Sequence, residues 1–198
     1  MDLTLGLTVL ASYLLGAVPF GLVITRLAGL GDIREIGSGN IGATNVYRTG
    51  RKDLALATLL LDAGKGAIAV LVAAAIFKSP MLSAAAGMAA FIGHCFPIYL
   101  KFKGGKGVAT FFGTLFAISW PVGLGTGAVW LITLALFRMS SLSGLMAAAV
   151  SPFLGWHFME GNTWLCIAAI SIVVFVRHHE NIKRIAAGTE SKIGKSKD

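Results

Sequence analysis

Residues 107–137 read GVATFFGTLFAISWPVGLGTGAVWLITLALF, 31 residues without an Asp, Glu, Lys or Arg. As one α-helix this run would be about 46 Å long, too long for a bilayer core of about 30 Å. Ser119-Trp120-Pro121 stands in its middle. Proline has no N–H to donate and disfavours helix in the residue before it. The run therefore divides into two short spans, 107–119 and 121–137. Other stretches of comparable apolarity are 3–25, 54–77, 79–100, 140–159 and 162–176. A span needs about 20 residues, with a range of about 17–25. The last stretch is short, but Trp164 can anchor one end and Arg177 can snorkel at the other. The total is seven spans.

Composition points the same way. The chain has 198 residues, 56% hydrophobic and 13% charged, with mean hydropathy +0.78. A soluble domain usually carries about twice that charge, so a soluble globular enzyme, a disordered chain and a coiled coil are all excluded. The expected fold class is all-α: a polytopic membrane helical bundle forming one domain over 1–198. Cys95 and Cys166 lie in apolar runs and offer neither a disulfide framework nor metal-ligand spacing. The start, Met1-Asp2, lacks a basic region, so the first apolar run reads as a retained span.

Charge gives the orientation. With seven spans the connecting segments alternate sides, and fifteen of the seventeen Lys and Arg residues fall on one of them. Arg26, Arg34, Arg48, Arg51 and Lys52 lie there, as do Lys101, Lys103, Lys106 and Arg138. The tail adds Arg177, Lys183, Arg184, Lys192, Lys195 and Lys197. Only Lys78 falls on the other side, and Lys65 lies within a span. By the positive-inside bias the C-terminus is cytoplasmic and the N-terminus outside. A net charge of +8 then reflects cytoplasmic loops, anionic lipid and anionic substrate, with no nucleic acid as partner.

Three polar segments collect on the cytoplasmic side, within 34–52, 101–107 and 177–190. The first is GSGNIGATNVYR, residues 37–48. Gly37, Gly39 and Gly42 match GxGxxG, but no strand precedes them and no βαβ unit follows, so a dinucleotide site is rejected. What remains is a loop of glycines, Ser38, Asn40, Thr44, Asn45 and Arg48, longer than a connector needs. Glycines allow backbone amides to approach an anion closely.

The second is KFKGGKGVAT, residues 101–110. It is not a Walker A loop, because Leu100 stands six before Lys106 and Gly107 follows it. The physics is related: Gly104, Gly105 and Gly107 expose amides, Lys103 and Lys106 supply charge, and a helix start follows. A plain basic anchor needs lysines but not three glycines among them, so phosphate binding is the expected role.

The third is RHHENIKR, 177–184, followed by Gly188-Thr189-Glu190. His178 and Asn181 share a face on a helical continuation. The HxxxxD motif of soluble acyltransferases is absent, and no carboxylates cluster with the histidines, so no metal is expected. A solvated basic tail competes evenly with a functional reading of this segment. Within the membrane, Asp62 and Lys65 are one turn apart and can pair. That pair reads equally as a functional or a structural one, while His94 reads as a hydrogen-bonded core residue. Ser141 and Ser143 open the sixth span.

At these three segments the chain resembles the bacterial acyl-phosphate:glycerol-3-phosphate acyltransferase family, PlsY. The stretches that carry the resemblance are GSGNIGATNVYRTG, FKGGKGVAT and RHHENIKRIAAGTE. ASYLLGAVPFG, LLDAGKGA and IGHCFPIY match around them. The resemblance covers most of the chain, with no departure at a motif position. It implies seven spans with a cytoplasm-facing site in a bacterial inner membrane. It also implies transfer of a fatty acyl group from acyl phosphate to glycerol 3-phosphate, the first step of phospholipid synthesis. The products are lysophosphatidic acid and phosphate.

No cofactor is needed, because acyl phosphate is a mixed anhydride with a good leaving group. Ser38, Arg48, Lys106, His178 and Asn181 are the expected catalytic residues. Substrate binding falls to Gly39, Asn40, Thr44, Asn45, Lys103, Gly104, Gly105 and Gly107, with Ser141 or Ser143. The proton acceptor is His178 or a phosphate oxygen of the substrate. The rival reading is a carrier for an anionic solute. A carrier would place its polar groups at the bilayer midplane in repeated halves, and neither feature is seen in the sequence.

Overall fold

The computed structural model describes residues 3–193. The basic residues Lys195 and Lys197 and the start Met1-Asp2 lie outside the described residues. Among the described residues the chain forms ten α-helices and two 3-10 turns, with no strand. They make two compact units, one ending at Ile118 and the other beginning at Ser119.

The first unit contains α1 (Leu3–Ala17), α2 (Phe20–Leu27), α3 (Ala43–Tyr47), α4 (Lys52–Phe77), α5 (Pro80–Cys95) and α6 (Val108–Ile118). α4 packs against α6 and α5, and α1 packs against α5. Small residues allow this. A Cβ on Gly16 would overlap the Ala90 backbone, and one on Gly113 would overlap that of Ala63. In lipid, where burial of apolar surface drives little, such close backbone approach supplies the packing. The stretch expected as one span over 3–25 is two helices bent by 41°. The break falls at Val18-Pro19, where proline cannot donate to the helix ladder. Beside it, Leu22, Ile33, Ile41, Val46 and Ala55 form a small core that anchors the 28–51 segment.

The second unit contains α7 (Trp120–Phe137), α8 (Ser140–Phe158), α9 (Trp164–Arg177) and α10 (His179–Ala186). α8 packs between α7 and α9. α10 turns 60° from α9 at His178. Ser119, extended with φ −154° and ψ 103°, starts α7, and Pro121 takes its first turn, where a missing N–H costs nothing.

By length and composition, among the described residues, three helical stretches can cross a bilayer alone: Lys52–Phe77, Pro80–Leu100 and Trp120–Phe137. The number is up to five if each bent pair is one span. Val108–Ile118 is apolar but has only 11 residues, about 16 Å. Ser140–Phe158 has 19 residues, four of them serines, with Pro152 inside. Helix length alone therefore does not reproduce the count of seven, because several helices are short, bent or polar on one side.

Candidate active site

In the first unit the polar 33–48 segment is organised by Asn45, which is 1% exposed. Its Nδ2 donates to the carbonyls of Ile33 (2.9 Å) and Ile36 (3.0 Å). Its Oδ1 accepts from the Ser38 amide (3.0 Å) and hydroxyl (3.3 Å). Both amide hydrogens are thus committed to the loop. Asn45 shapes the loop that presents Ser38, and its donors are not offered to a substrate.

Gly37 permits this turn. Its φ is +58°, and a Cβ there would stand 2.5 Å from Asn45 Oδ1 and 3.1 Å from Arg48 Cδ. The Arg48 side chain therefore lies along Gly37, next to Ser38. Ser38, Gly39, Thr44 and Arg48 are exposed, and Asn40 is half-buried. At the loop's other edge Asp32 holds Arg34 and Arg26, the latter at 2.7 Å. The Arg34 guanidinium, seconded by Arg26, keeps the Asp32 carboxyl well below the usual range despite some desolvation.

The glycine-rich loop closes over the C-terminal end of α5. The Gly104 amide donates to the Cys95 carbonyl (3.2 Å) and the Gly105 amide to that of His94 (3.1 Å). These amides satisfy carbonyls that the helix end leaves orphaned. They were expected to be open to a phosphate, and they are not. The glycines are needed for space. A Cβ on Gly104 would overlap the His94 carbonyl and the Pro97 ring, and one on Gly105 would overlap the His94 ring. Lys103 is exposed and Lys106 half-buried, so the charge this loop offers is carried by its lysines.

In the second unit His178 is 2% exposed. Its Nδ1 lies 2.8 Å from the Val174 carbonyl. A carbonyl only accepts, so Nδ1 carries a hydrogen and donates it there. A backbone carbonyl one turn back thus orients the ring at Nδ1. Glu180, the nearest carboxylate in sequence, is exposed and engaged with Lys183 and His179, each at 3.1 Å.

Asn181 is buried beside His178 on the same side of the turn, while His179 and Glu180 face outward. Its Nδ2 donates to Glu190 Oε1 (2.7 Å), which also accepts from the Ser141 hydroxyl (2.6 Å). Arg184 Nε donates to Glu190 Oε2 at 2.7 Å. Burial pushes the Glu190 carboxyl up, but hydrogen bonds from Ser141, Asn181 and Arg184 outweigh it, and the net shift is downward.

The sequence reading did not place Glu190 in the site. The available signal was Gly188, which has φ +70° and donates to the Ile185 carbonyl at 3.1 Å. A glycine in this position ends a helix and reverses the chain. Of the two serines, Ser141 meets this cluster, whereas Ser143 is buried and donates to the Met139 carbonyl (2.9 Å) within its own helix.

Apolar helices carrying basic, glycine-rich loops and a buried histidine held at Nδ1 make this a helical membrane protein equipped for chemistry on charged groups. Comparison with known proteins is specific. The family model described as glycerol-3-phosphate acyltransferase matches residues 6–188. A glycerol-3-phosphate acyltransferase of Dinoroseobacter shibae is 57% identical over 193 residues, covering 98% of this chain and 95% of the relative. One from Jannaschia sp. is 58% identical at the same coverage. The crystal structure of PlsY (YgiH), an integral membrane glycerol 3-phosphate acyltransferase, in its glycerol 3-phosphate form superposes with TM-score 0.90. Its identity is 38%, and 96% of each chain is covered. The lysophosphatidic acid form of PlsY gives TM-score 0.89 at 35% identity, again with 96% of each chain covered. The chain belongs to the glycerol-3-phosphate acyltransferase family. The carrier reading finds no support in these relatives.

Proposed function

We propose that this protein transfers a fatty acyl group from acyl phosphate to glycerol 3-phosphate, giving lysophosphatidic acid and inorganic phosphate. The observation that carries this reading is the family match over residues 6–188, which takes in the first two polar segments and the third as far as Gly188. The site faces the cytoplasm of a bacterial inner membrane, with seven spans, the N-terminus outside and the C-terminus inside. The one-sided distribution of Lys and Arg supports that orientation.

The glycerol 3-phosphate hydroxyl attacks the acyl carbonyl carbon. The bond from that carbon to the phosphate oxygen then breaks, and phosphate leaves with the electron pair. Two phosphorylated substrates repel each other, so fixed positive charge is required, and Arg48, Lys103 and Lys106 supply it. Ser38, presented by the Asn45-pinned loop, offers a hydroxyl to a phosphate or the developing oxyanion. A phosphate oxygen of the acyl phosphate takes the hydroxyl proton, so the leaving group departs as hydrogen phosphate.

In this scheme His178 positions the acyl phosphate. The Val174 carbonyl holds its Nδ1 at 2.8 Å and so fixes the plane of the ring. Asn181, fixed by Glu190, lies on the same side. The test is an assay of purified protein in lipid with labelled glycerol 3-phosphate and either acyl phosphate or acyl-CoA. Product from acyl phosphate and none from acyl-CoA is expected. The reverse pattern refutes the proposal.

A further inference from the structure

Beneath the glycine-rich loop lies a charged cluster that the mechanism above does not use. Asp62 and Lys65 sit one turn apart on α4, with Nζ 2.8 Å from Oδ1, and their side chains are 2% and 1% exposed. The ammonium also donates to the Val18 carbonyl (3.0 Å), at the break before α2, and stands 5.7 Å from the centre of the Phe20 ring. Asp62 Oδ1 lies 3.6 Å from Nδ1 of His94, the buried penultimate residue of α5. One ion pair thus ties α4 to the α1–α2 break and reaches the end of α5.

His94 carries this tie up to the loop. Its carbonyl accepts from the Gly105 amide, and its ring occupies the place a Cβ on Gly105 would take. Lys106 follows immediately. Gly107, at φ +78°, lies so close to the Phe91 ring and to Cys95 that a Cβ would overlap the ring and come within 3.0 Å of Sγ. The loop therefore rests on the imidazole edge and on the last turn of α5. A buried ion pair can often be replaced by apolar side chains without loss of stability. Its use here is geometric: it ties α4 to the α1–α2 break and sets Asp62 Oδ1 facing the His94 ring.

We propose that His94, turned by the Asp62–Lys65 ion pair, is the support that sets the 104–107 loop, so that these three buried residues position Lys106 for the phosphate of glycerol 3-phosphate. They touch no substrate and act through the loop. The inference rests on the acyl-transfer reading given above.

The test is a double-mutant cycle between His94 and Gly105 in the full-length protein in lipid, with KM and kcat measured for both substrates. Gly105→Ala alone is expected to raise the glycerol 3-phosphate KM about tenfold or more, because the new methyl must displace the ring. His94→Ala alone raises it several-fold. In the double variant the methyl fits the space the ring has left, and KM returns to within about threefold of His94→Ala. A role confined to stability would not produce this recovery. Effects that multiply in folded protein overturn the proposal.

The second arm is D62L/K65M, which removes the pair without leaving a lone buried charge. It is expected to raise the glycerol 3-phosphate KM while the acyl phosphate KM stays unchanged. An active wild type with unaltered KM in both His94→Ala and D62L/K65M overturns this inference alone. An inactive wild type overturns the acyl-transfer reading and this inference with it.

Discussion

Replacing Glu190 tests how the second polar cluster is held. Its carboxylate accepts from Ser141, Asn181 and Arg184 at 2.6–2.7 Å, and its side chain is 5% exposed. Glu190→Ala removes the acceptor of the buried Asn181 donor and of the half-buried Ser141 hydroxyl. Each stranded donor costs about 1–3 kcal/mol. Arg184 is 42% exposed and can turn to water, so its share is discounted to near zero. The expected loss is about 2–6 kcal/mol, which corresponds to a fall in Tm on the order of 10 °C for a chain of this length.

Glu190→Gln should cost about half of that, since one oxygen still accepts while the new amide meets a donor. The sign of the pH effect follows from the lowered folded pKa. Above the ordinary glutamate value of 4.5 the contribution is fully present, and it is lost as pH falls through the lowered folded value. Thermal unfolding of wild type and both variants in the same detergent, at pH 7 and at pH 4, measures all of this. A Glu190→Ala Tm within 1–2 °C of wild type, on the order of 0.5 kcal/mol, would refute the reasoning. So would a wild-type-to-variant gap that widens on acidification.

Three further expectations follow from the geometry. His178→Asn places an amide where Nδ1 stands and can still donate to the Val174 carbonyl, so it should keep appreciable kcat and the acid limb of the pH profile. A folded His178→Asn that binds both substrates yet is inactive would instead make His178 the general base, whose loss costs roughly 10²–10⁴ in kcat. Asn45→Asp keeps the acceptor for Ser38 but turns a carboxylate oxygen toward the Ile33 and Ile36 carbonyls. It should cost about 3–5 kcal/mol of loop stability and expose 33–41 to proteolysis while helical circular dichroism is retained; protection equal to wild type would count against the pinning role. Activity should survive a strong chelator, because among the described residues no three His, Cys, Asp or Glu side chains gather as a metal site. Reversible loss with EDTA, restored by one divalent ion, would contradict that.

The all-helical, membrane-embedded character was legible in composition, because so apolar a chain with so few charges has no soluble solution. The helix break at Ser119 was legible in Pro121, since the missing N–H is a property of the residue itself. The shared face of His178 and Asn181 followed from their spacing of three, a consequence of helical periodicity, whereas the burial of that face did not. These inferences share one feature: each depends on covalent structure or on neighbours within about one turn.

Other features needed the packed chain. Asn181 finds its partner in Glu190 nine residues on, and Ser141 finds the same oxygen across 49 positions. No local rule pairs them; they meet because the chain reverses at Gly188 and returns to the start of α8. The amides of Gly104 and Gly105 looked available in the sequence and are taken by the end of α5, because a helix terminus leaves carbonyls that the following loop must satisfy. Asn45 looked like a ligand and is a loop pin, because once Ile33 and Ile36 turn toward it both its hydrogens are committed. His94 meets Asp62 only because α4 and α5 lie side by side. Periodicity says which face of a helix is turned inward, but the partner on the facing helix is decided by how the side-chain ridges of the two surfaces interlock.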